Sequence, residues 1–445
     1  MLRLKLSDAA RMLKNMVMLG VSFMVHFTAV LGATHLQSSI NKAGGVGTAA
    51  LAAQYAALVA SSLFLSVFLI RRIGCKWTMA VCILCYLPYM GAQLYPRTYT
   101  LVPAALLMGL AAAPLWSAKC TYLCVIADVY SRASGANLKT ARDRIIGSFF
   151  MIFLFSMVWG NLISSLVLNS GTSSVSANVS SELLQCGADY CPGSGETETN
   201  PNLARPDEDK ISIIMYIYIG CIVLAALTIL LGIDQHERYE QKSVWSQVTA
   251  TLRLHVDRKM LLILPISLWL GIDYAFVEAE YSAAFVACAW GISQIGFVIV
   301  VYGLLNSGGA LVTGWLMEKV GSLLLVCVVG VAHLAVMIAM LLWKPAASHT
   351  AVYFIIAGLL GAADGHWAVQ INALYAIVFP GNEDAAYSNF RLWQSIGFVV
   401  AFSYSHYLCI AAKIYVIMAL LVVGVAAWMG LEFCVLRKSI LPGKV

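Results

Sequence analysis

Twelve stretches of about twenty mostly apolar residues, spread along nearly the whole chain, constrain this sequence more than any other feature. A helix needs about 20 apolar residues to cross the hydrocarbon core of a bilayer. The candidate spans fall near residues 16–36, 49–70, 77–94, 101–126, 145–168, 211–232, 260–279, 293–316, 322–343, 351–379, 392–410 and 414–435. Composition supports them: of 445 residues, 60% are hydrophobic and 11% charged. Soluble domains carry about 25% charged residues, so this chain cannot coat a water-facing surface. The expected fold is an all-α integral membrane bundle. The first stretch resembles a signal peptide, with basic residues ahead of an apolar run. It is longer than a signal's apolar core and lacks a small-residue cleavage site, so an uncleaved first helix is expected.

Basic residues test the count and orient the bundle. With twelve spans, 21 of the 28 Lys and Arg residues fall on the side of the two ends, six fall on the other side, and Lys119 lies within a span. That bias places both ends in the cytoplasm. The longest loop, 169–210, then faces the opposite, oxidising side. It carries the glycosylation sequon at Asn178, with Ser180 two residues on. Cys186 and Cys191 lie in the same loop, where a small disulfide between them is expected. The other cysteines considered, among them Cys82 and Cys85, sit in apolar stretches and read as packing residues. The basic segment 234–258 divides the chain into an N-terminal half, 1–233, and a C-terminal half, 259–445.

Equivalent loops of the two halves carry related motifs. After the eighth span, Gly314, Glu318, Lys319 and Gly321 match G-x-x-x-[DE]-[RK]-x-G, the loop signature of major facilitator transporters. The glycines suit close helix approach and a tight turn, and the acid and base suit pairing at the cytoplasmic mouth. After the second span the pattern recurs as Arg71, Arg72, Gly74 and Lys76, with Arg71 where the acid belongs. A duplicated, facilitator-like 6+6 bundle follows, with altered gating in its first half.

Ionisable groups at bilayer depth cost roughly 2.5–3.5 kcal/mol each, so they face a cavity or a partner. Lys119 lies deep in the fourth span, with Trp116 and Tyr122 three residues to either side. It is a cavity cation that binds an anion or a mobile carboxylate, or else half of a static salt bridge. Asp273, Tyr274, Glu278, Glu280 and Tyr281 end the seventh span. On a continuous α-helix Asp273 and Glu280 share a face, and the pair reads either as a proton- or cation-binding wall or as the helix's solvated outer end. The solvated reading suits Glu280 better. The tenth span holds Asp364, His366, Trp367, Gln370 and Asn372, polar on two faces, with an interhelical hydrogen bond the default for His366. His26 and His35 in the first span share that ambiguity. P-loop, H-E-x-x-H and G-x-S-x-G motifs are absent, so no enzyme, metal or cofactor is expected, and the basic residues follow topology rather than nucleic acid.

The segment 109–123, which contains Trp116, Lys119 and Tyr122, resembles the fourth helix of the Unc-93 family, in particular its A-type branch. The stretches 70–77, 370–375 and 389–393 are similar as well. The resemblance runs through nearly all spans in order and is weakest in the loop 169–210. It implies a facilitator-like fold, and partners that include two-pore-domain potassium channel subunits or, in other members, toll-like receptors escorted to endosomes. The short tails resemble the channel-associated members and favour the cell membrane over endosomes. A regulatory subunit of potassium channels is the first expectation. A secondary solute transporter is the second, with a cavity lined by Trp116, Lys119, Asp273 and Asp364, and a receptor escort is the third. In the first of these, small residues such as Gly308, Gly309 and Gly361 would admit partner helices.

Overall fold

The computed structural model describes residues 8–41, 43–170, 185–192, 200–235, 249, 253–254, 256–379 and 383–433; Asn178 and the Glu318 side chain fall outside them. Twelve membrane-length segments order the chain. They are α1 (Asp8–Ile40), α2 and α3 (46–73 and 75–92), α4 (Thr98–Ser134), α5 (Leu138–Asn169) and α6 (Glu208–Gly232) in the first half. In the second half they are α7 (258–290), α8 (Ile295–Val320), α9 (Ser322–Leu342), α10 (Thr350–Val378), α11 (Glu383–Tyr404) and α12 (Ile410–Leu431). Among the described residues, nine helices are long and apolar enough to cross a membrane by themselves. The other three are α2 and α3, which share one helical run bent at Gly74, and α11, which is more polar. An even number of crossings puts both ends of the bundle on one side, here called the terminal face; the opposite side, which carries residues 185–192 and 200–203, is the loop face.

The packing of the first half recurs in the second with a shift of six helices. In the first half α1 packs on α5 and α6, α2 on α4, and α3 on α6. In the second, α7 packs on α11 and α12, α8 on α10, and α9 on α12. The halves meet through α2 against α11, α5 against α8, and α1 against α7. Lipid is as apolar as leucine, so such contacts rest on close packing rather than on hydrophobic exclusion. Gly32 and Gly160 at the α1–α5 crossing, and Gly271 and Gly397 at the α7–α11 crossing, leave no room for a Cβ against the facing backbone.

Two local devices let polar backbone sit at membrane depth. Pro114 removes the N–H that would bond the Leu110 carbonyl, and Ser61 Oγ of α2 donates to that carbonyl at 2.6 Å. Within α7, residues Phe276–Ala287 form a wide π-helical turn sequence. Each residue there rotates less than in an α-helix, so Glu280 leaves the face that Asp273 occupies. The shared face expected from a continuous α-helix is not formed.

Gly309 and Gly361 are used inside the bundle, at the α8–α10 crossing, where an added Cβ would strike Ala362 and Tyr302 backbone. They are not free to admit a partner helix. Gly308 has open space beside it.

Candidate functional site

The motif glycines set the turns of the terminal face. Gly74 has φ 81°, ψ 166°, and Gly321 has φ 83°, ψ 155°. This conformation is essentially restricted to glycine, and it stands at equivalent places in the two halves. Gly314, by contrast, meets nothing within 4 Å of an added Cβ, so it mediates no close approach here. Lys76 Nζ donates to the Ile233 carbonyl at 2.8 Å and closes the end of α6, a favourable place for a cation. Arg71 and Arg72 are exposed. The Lys319 ammonium lies 3.6 Å from the centre of the Trp315 ring, one turn back on its own helix.

An ionic knot, not expected from the sequence, closes the terminal face of the first half. Asp234 accepts from Arg11 Nε at 2.8 Å, with Lys14 Nζ at 3.5 Å. Tyr122 Oη donates to the Asp234 carbonyl at 2.8 Å. The hydrogen bond from Arg11 is the main cause that holds the Asp234 carboxyl at a pKa of about 2. Tyr122 is therefore part of this closure rather than of a cavity wall.

A cavity of about 220 Å³ lies between the halves. His35 of α1, Ser156 of α5, Tyr274 and Glu278 of α7, and Tyr302 and Asn306 of α8 supply its polar lining. His35 Nδ1 is 3.0 Å from Asn161 Oδ1. Glu278 Oε2 is buried without a hydrogen-bond partner among the described residues. Trp116, Lys119, Asp273 and Asp364, expected to line such a cavity, do not line this one. Of the polar residues singled out in the sequence, His35, Tyr274 and Glu278 do.

Lys119 is buried beneath aromatic rings. Its ammonium lies 4.6 Å from the ring of Trp116, 4.9 Å from Phe149 and 4.7 Å from Phe150. Among the described residues no carboxylate approaches it within ion-pair distance. The static salt bridge is not formed among the described residues, and three aromatic rings stand around the ammonium instead. Ring faces are negative, so three of them partly replace the counter-charge that burial denies the ammonium. The signal was legible only for Trp116, because the other two rings belong to α5.

Behind the cavity wall, Asp364 and Asp273 meet. Tyr302 Oη donates to Asp364 Oδ2 at 2.6 Å, and Tyr274 Oη to the Asp364 carbonyl at 3.3 Å. His333 of α9 places Nε2 3.3 Å from Asp273 Oδ1. Trp269 and Trp367 wall this cluster, with Trp269 edge-on to His333 at 5.2 Å. Sequence reasoning missed His333, although it is the one histidine of α9. The other α10 candidates are separate from the cluster. His366 Nδ1 lies 3.0 Å from Thr313 Oγ1, Gln370 Oε1 accepts from Ser322 at 2.5 Å, and Asn372 Nδ2 donates to the Ala368 carbonyl at 2.6 Å.

Toward the loop face, Glu280 is not solvated. Its Oε2 lies 2.8 Å from Lys413 Nζ, and its Oε1 accepts from Ser405 Oγ at 2.5 Å. The π-helical turn that moves Glu280 off the Asp273 face aims it at α11 and α12.

Cys186 and Cys191 are both disulfide-bonded, but not to each other. Cys186 pairs with Cys288 at the end of α7, and Cys191 with Cys409 at the start of α12. The loop between α5 and α6 thus crosses to the other half. Asn200 and Asn202 donate to the Cys288 carbonyl, each at 3.0 Å. Three residues later Arg205 Nη1 returns to the first half, bonding the Ile40 carbonyl at 2.9 Å and Asn41 Oδ1 at 2.7 Å. Ser38 of α1 donates to the Ala279 carbonyl of α7 at 3.0 Å. The loop face is closed and strapped.

Twelve helices in two halves of matching packing, with a cavity between them, define a membrane protein of the major facilitator fold. The chain is similar to the solved nucleoside transporter NupG, with a TM-score of 0.64 at 12% identity over 93% of this chain and 98% of that one. The chain belongs to the UNC-93 family: the family model "Ion channel regulatory protein UNC-93" matches residues 37–429. It is 36% identical to human "Protein unc-93 homolog A", over 98% of this chain and 97% of that protein. It is 29% identical to the Caenorhabditis elegans "Putative potassium channel regulatory protein unc-93", over 95% of this chain and 61% of that protein.

Proposed function

We propose that this chain is a non-enzymatic regulatory subunit of potassium channels, of the two-pore-domain class. It would lie in the cell membrane with both ends in the cytoplasm and would act through helix contacts within the bilayer. The observation that carries this reading is the strapped loop face. Alternating access needs the outer ends of the halves to part, and here a cross-half loop, two disulfides and Arg205 hold them together. The family's description and the name of the worm relative agree with a channel role. A second reading is favoured by Glu278, a carboxylate with an unpaired oxygen facing a cavity between the halves, as a proton- or cation-coupled transporter would use.

Co-expression with a two-pore-domain channel separates the two. The expected result is an altered potassium current that needs this chain, a channel subunit cross-linked to it in native membranes, and no solute or proton flux from the chain alone. Flux that disappears in Glu278→Gln, with an unchanged channel current, would overturn the channel reading in favour of transport. Co-purified receptors with neither current nor flux would overturn both and point to an escort.

A further inference from the structure

Three helices of the second half bring two carboxylates and an imidazole together out of contact with solvent. Asp273, His333 and Asp364 each place a ligand atom within 4.8 Å of the others. Both aspartates are 0% exposed and His333 is 1% exposed. Most of their polar atoms are left over. Outside the cluster itself, both carboxylate oxygens of Asp273, Oδ1 of Asp364 and both ring nitrogens of His333 find no hydrogen-bond partner among the described residues; within it, His333 Nε2 stands 3.3 Å from Asp273 Oδ1. An orphaned buried polar group costs about 1–3 kcal/mol, and more if charged, so a cluster whose atoms turn only to one another calls for something that binds them together.

We infer that Asp273, His333 and Asp364 form a binding site for one divalent transition-metal cation. Charge balance favours it. Two ionised aspartates with a neutral imidazole carry two negative charges, which a single divalent ion cancels in a medium where net charge is costly. The donor set, two carboxylates and one imidazole, suits zinc or manganese. Ligands about 2.0–2.1 Å from a tetrahedral ion stand roughly 3.3 Å apart, and His333 Nε2 already lies 3.3 Å from Asp273 Oδ1. All three ligand atoms lie within 4.8 Å of one another, so the rest of the set closes by at most about 1.5 Å, within reach of side-chain rotation.

The surroundings are also those of a metal site. Tyr302 holds Asp364 Oδ2 and leaves Oδ1 free to ligate, the kind of outer hydrogen bond that orients a ligating carboxylate. Trp269 and Trp367 exclude water on the far side. Tyr302, which bonds Asp364, also lines the cavity between the halves, the side from which an ion would enter. The inference stands apart from the channel reading: a regulatory subunit or a transporter would each hold such an ion.

The test uses the full chain, purified without a histidine tag in lipid nanodiscs, with zinc and manganese salts as probes. Expected are one bound ion per chain by elemental mass spectrometry and a manganese paramagnetic signal that zinc displaces. Loss of a ligand in Asp273→Asn, Asp364→Asn or His333→Phe should weaken binding roughly a hundredfold or more, and Tyr302→Phe roughly ten- to a hundredfold. His333→Phe keeps a ring against Trp269, so it reports even where an aspartate variant fails to fold. Wild type holding no ion above buffer, the result if the two aspartates simply share protons, would overturn the inference. So would ion binding that all four substitutions leave unchanged.

Discussion

Removing one member of the Glu280–Lys413 pair should destabilise the protein by about 3–5 kcal/mol, the range for leaving a buried charge unpaired. The geometry supports the upper part of that range. Lys413 is 0% exposed on its side chain and Glu280 9%. Lys413 Nζ also donates to the Ser405 carbonyl at 2.6 Å, and Ser405 Oγ returns a hydrogen bond to Glu280. Lys413→Met would strip Glu280 of its cation and keep a single hydroxyl donor. Glu280→Gln would leave the ammonium with one backbone carbonyl. Exchanging both charges should cost far less than the two single changes together, because apolar replacement of a complete buried pair is often close to neutral. The double-mutant cycle should then give a coupling of at least about 3 kcal/mol, well beyond the ~0.5 kcal/mol within which independent sites add. Equilibrium unfolding of purified protein in mixed micelles measures all four species. Single variants that each cost less than about 1 kcal/mol, or costs that simply add, would refute the reasoning and return Glu280 to solvent.

Three further outcomes follow from the same geometry. Peptide mapping without reductant should recover Cys186 joined to Cys288 and Cys191 joined to Cys409; a Cys186–Cys191 peptide would contradict the strap. Gly321→Ala should destabilise by about 1–3 kcal/mol through backbone strain at φ 83°. Gly314→Ala, seven residues earlier inside a helix with open space around it, should be neutral or stabilise by up to about 1 kcal/mol, and equal effects at the two glycines in a melting assay would sink that distinction. Asp234 has a depressed pKa, so its contribution is present above its ordinary value of 3.8 and is lost as pH falls toward about 2. Being exposed, the contact should contribute no more than about 1 kcal/mol, and melting curves should show the Asp234→Asn deficit shrink over that pH window.

The spans were legible because a bilayer averages polarity over about 20 residues, a signal that one misplaced side chain does not erase. The bend that separates α2 from α3 was legible too, as a glycine in a repeated loop motif. What failed depended on contacts between distant segments. Cys186 and Cys191 are near in sequence, yet their partners are 102 and 218 residues away. Lys119 was expected to find a carboxylate and finds rings of α5 instead, since nothing local announces which helix stands opposite. Glu280 was misplaced for a different reason: the helical period itself changes at Phe276, and a period of 3.6 carried through that point assigns the wrong face. His333 could have been found, because a lone histidine in an otherwise apolar span carries its own insertion cost and asks for a partner.

The strap also limits how the two halves can move. Asn202 is fixed to the Cys288 carbonyl and Arg205 to the end of α1, so a three-residue segment joins the halves at the loop face. Fully extended, three residues reach about 10 Å. Parting α1 from α7 further than that must break the Arg205 bonds or pull on a loop that Cys186 and Cys191 anchor covalently to the second half. The terminal face has no such covalent tie among the described residues; its closures there are ionic and hydrogen-bonded, through Asp234, Lys76 and Tyr122 within the first half. Motion is therefore cheaper at the terminal face than at the loop face. For a regulatory subunit this asymmetry has a use: the loop face stays a rigid frame while rearrangement of the other ends changes the outward helix surfaces that a channel would contact. A transporter of this fold would instead have to release the Asn200 and Asn202 bonds to Cys288, or those of Arg205, in every cycle, which makes this strap the feature on which the two functional readings part.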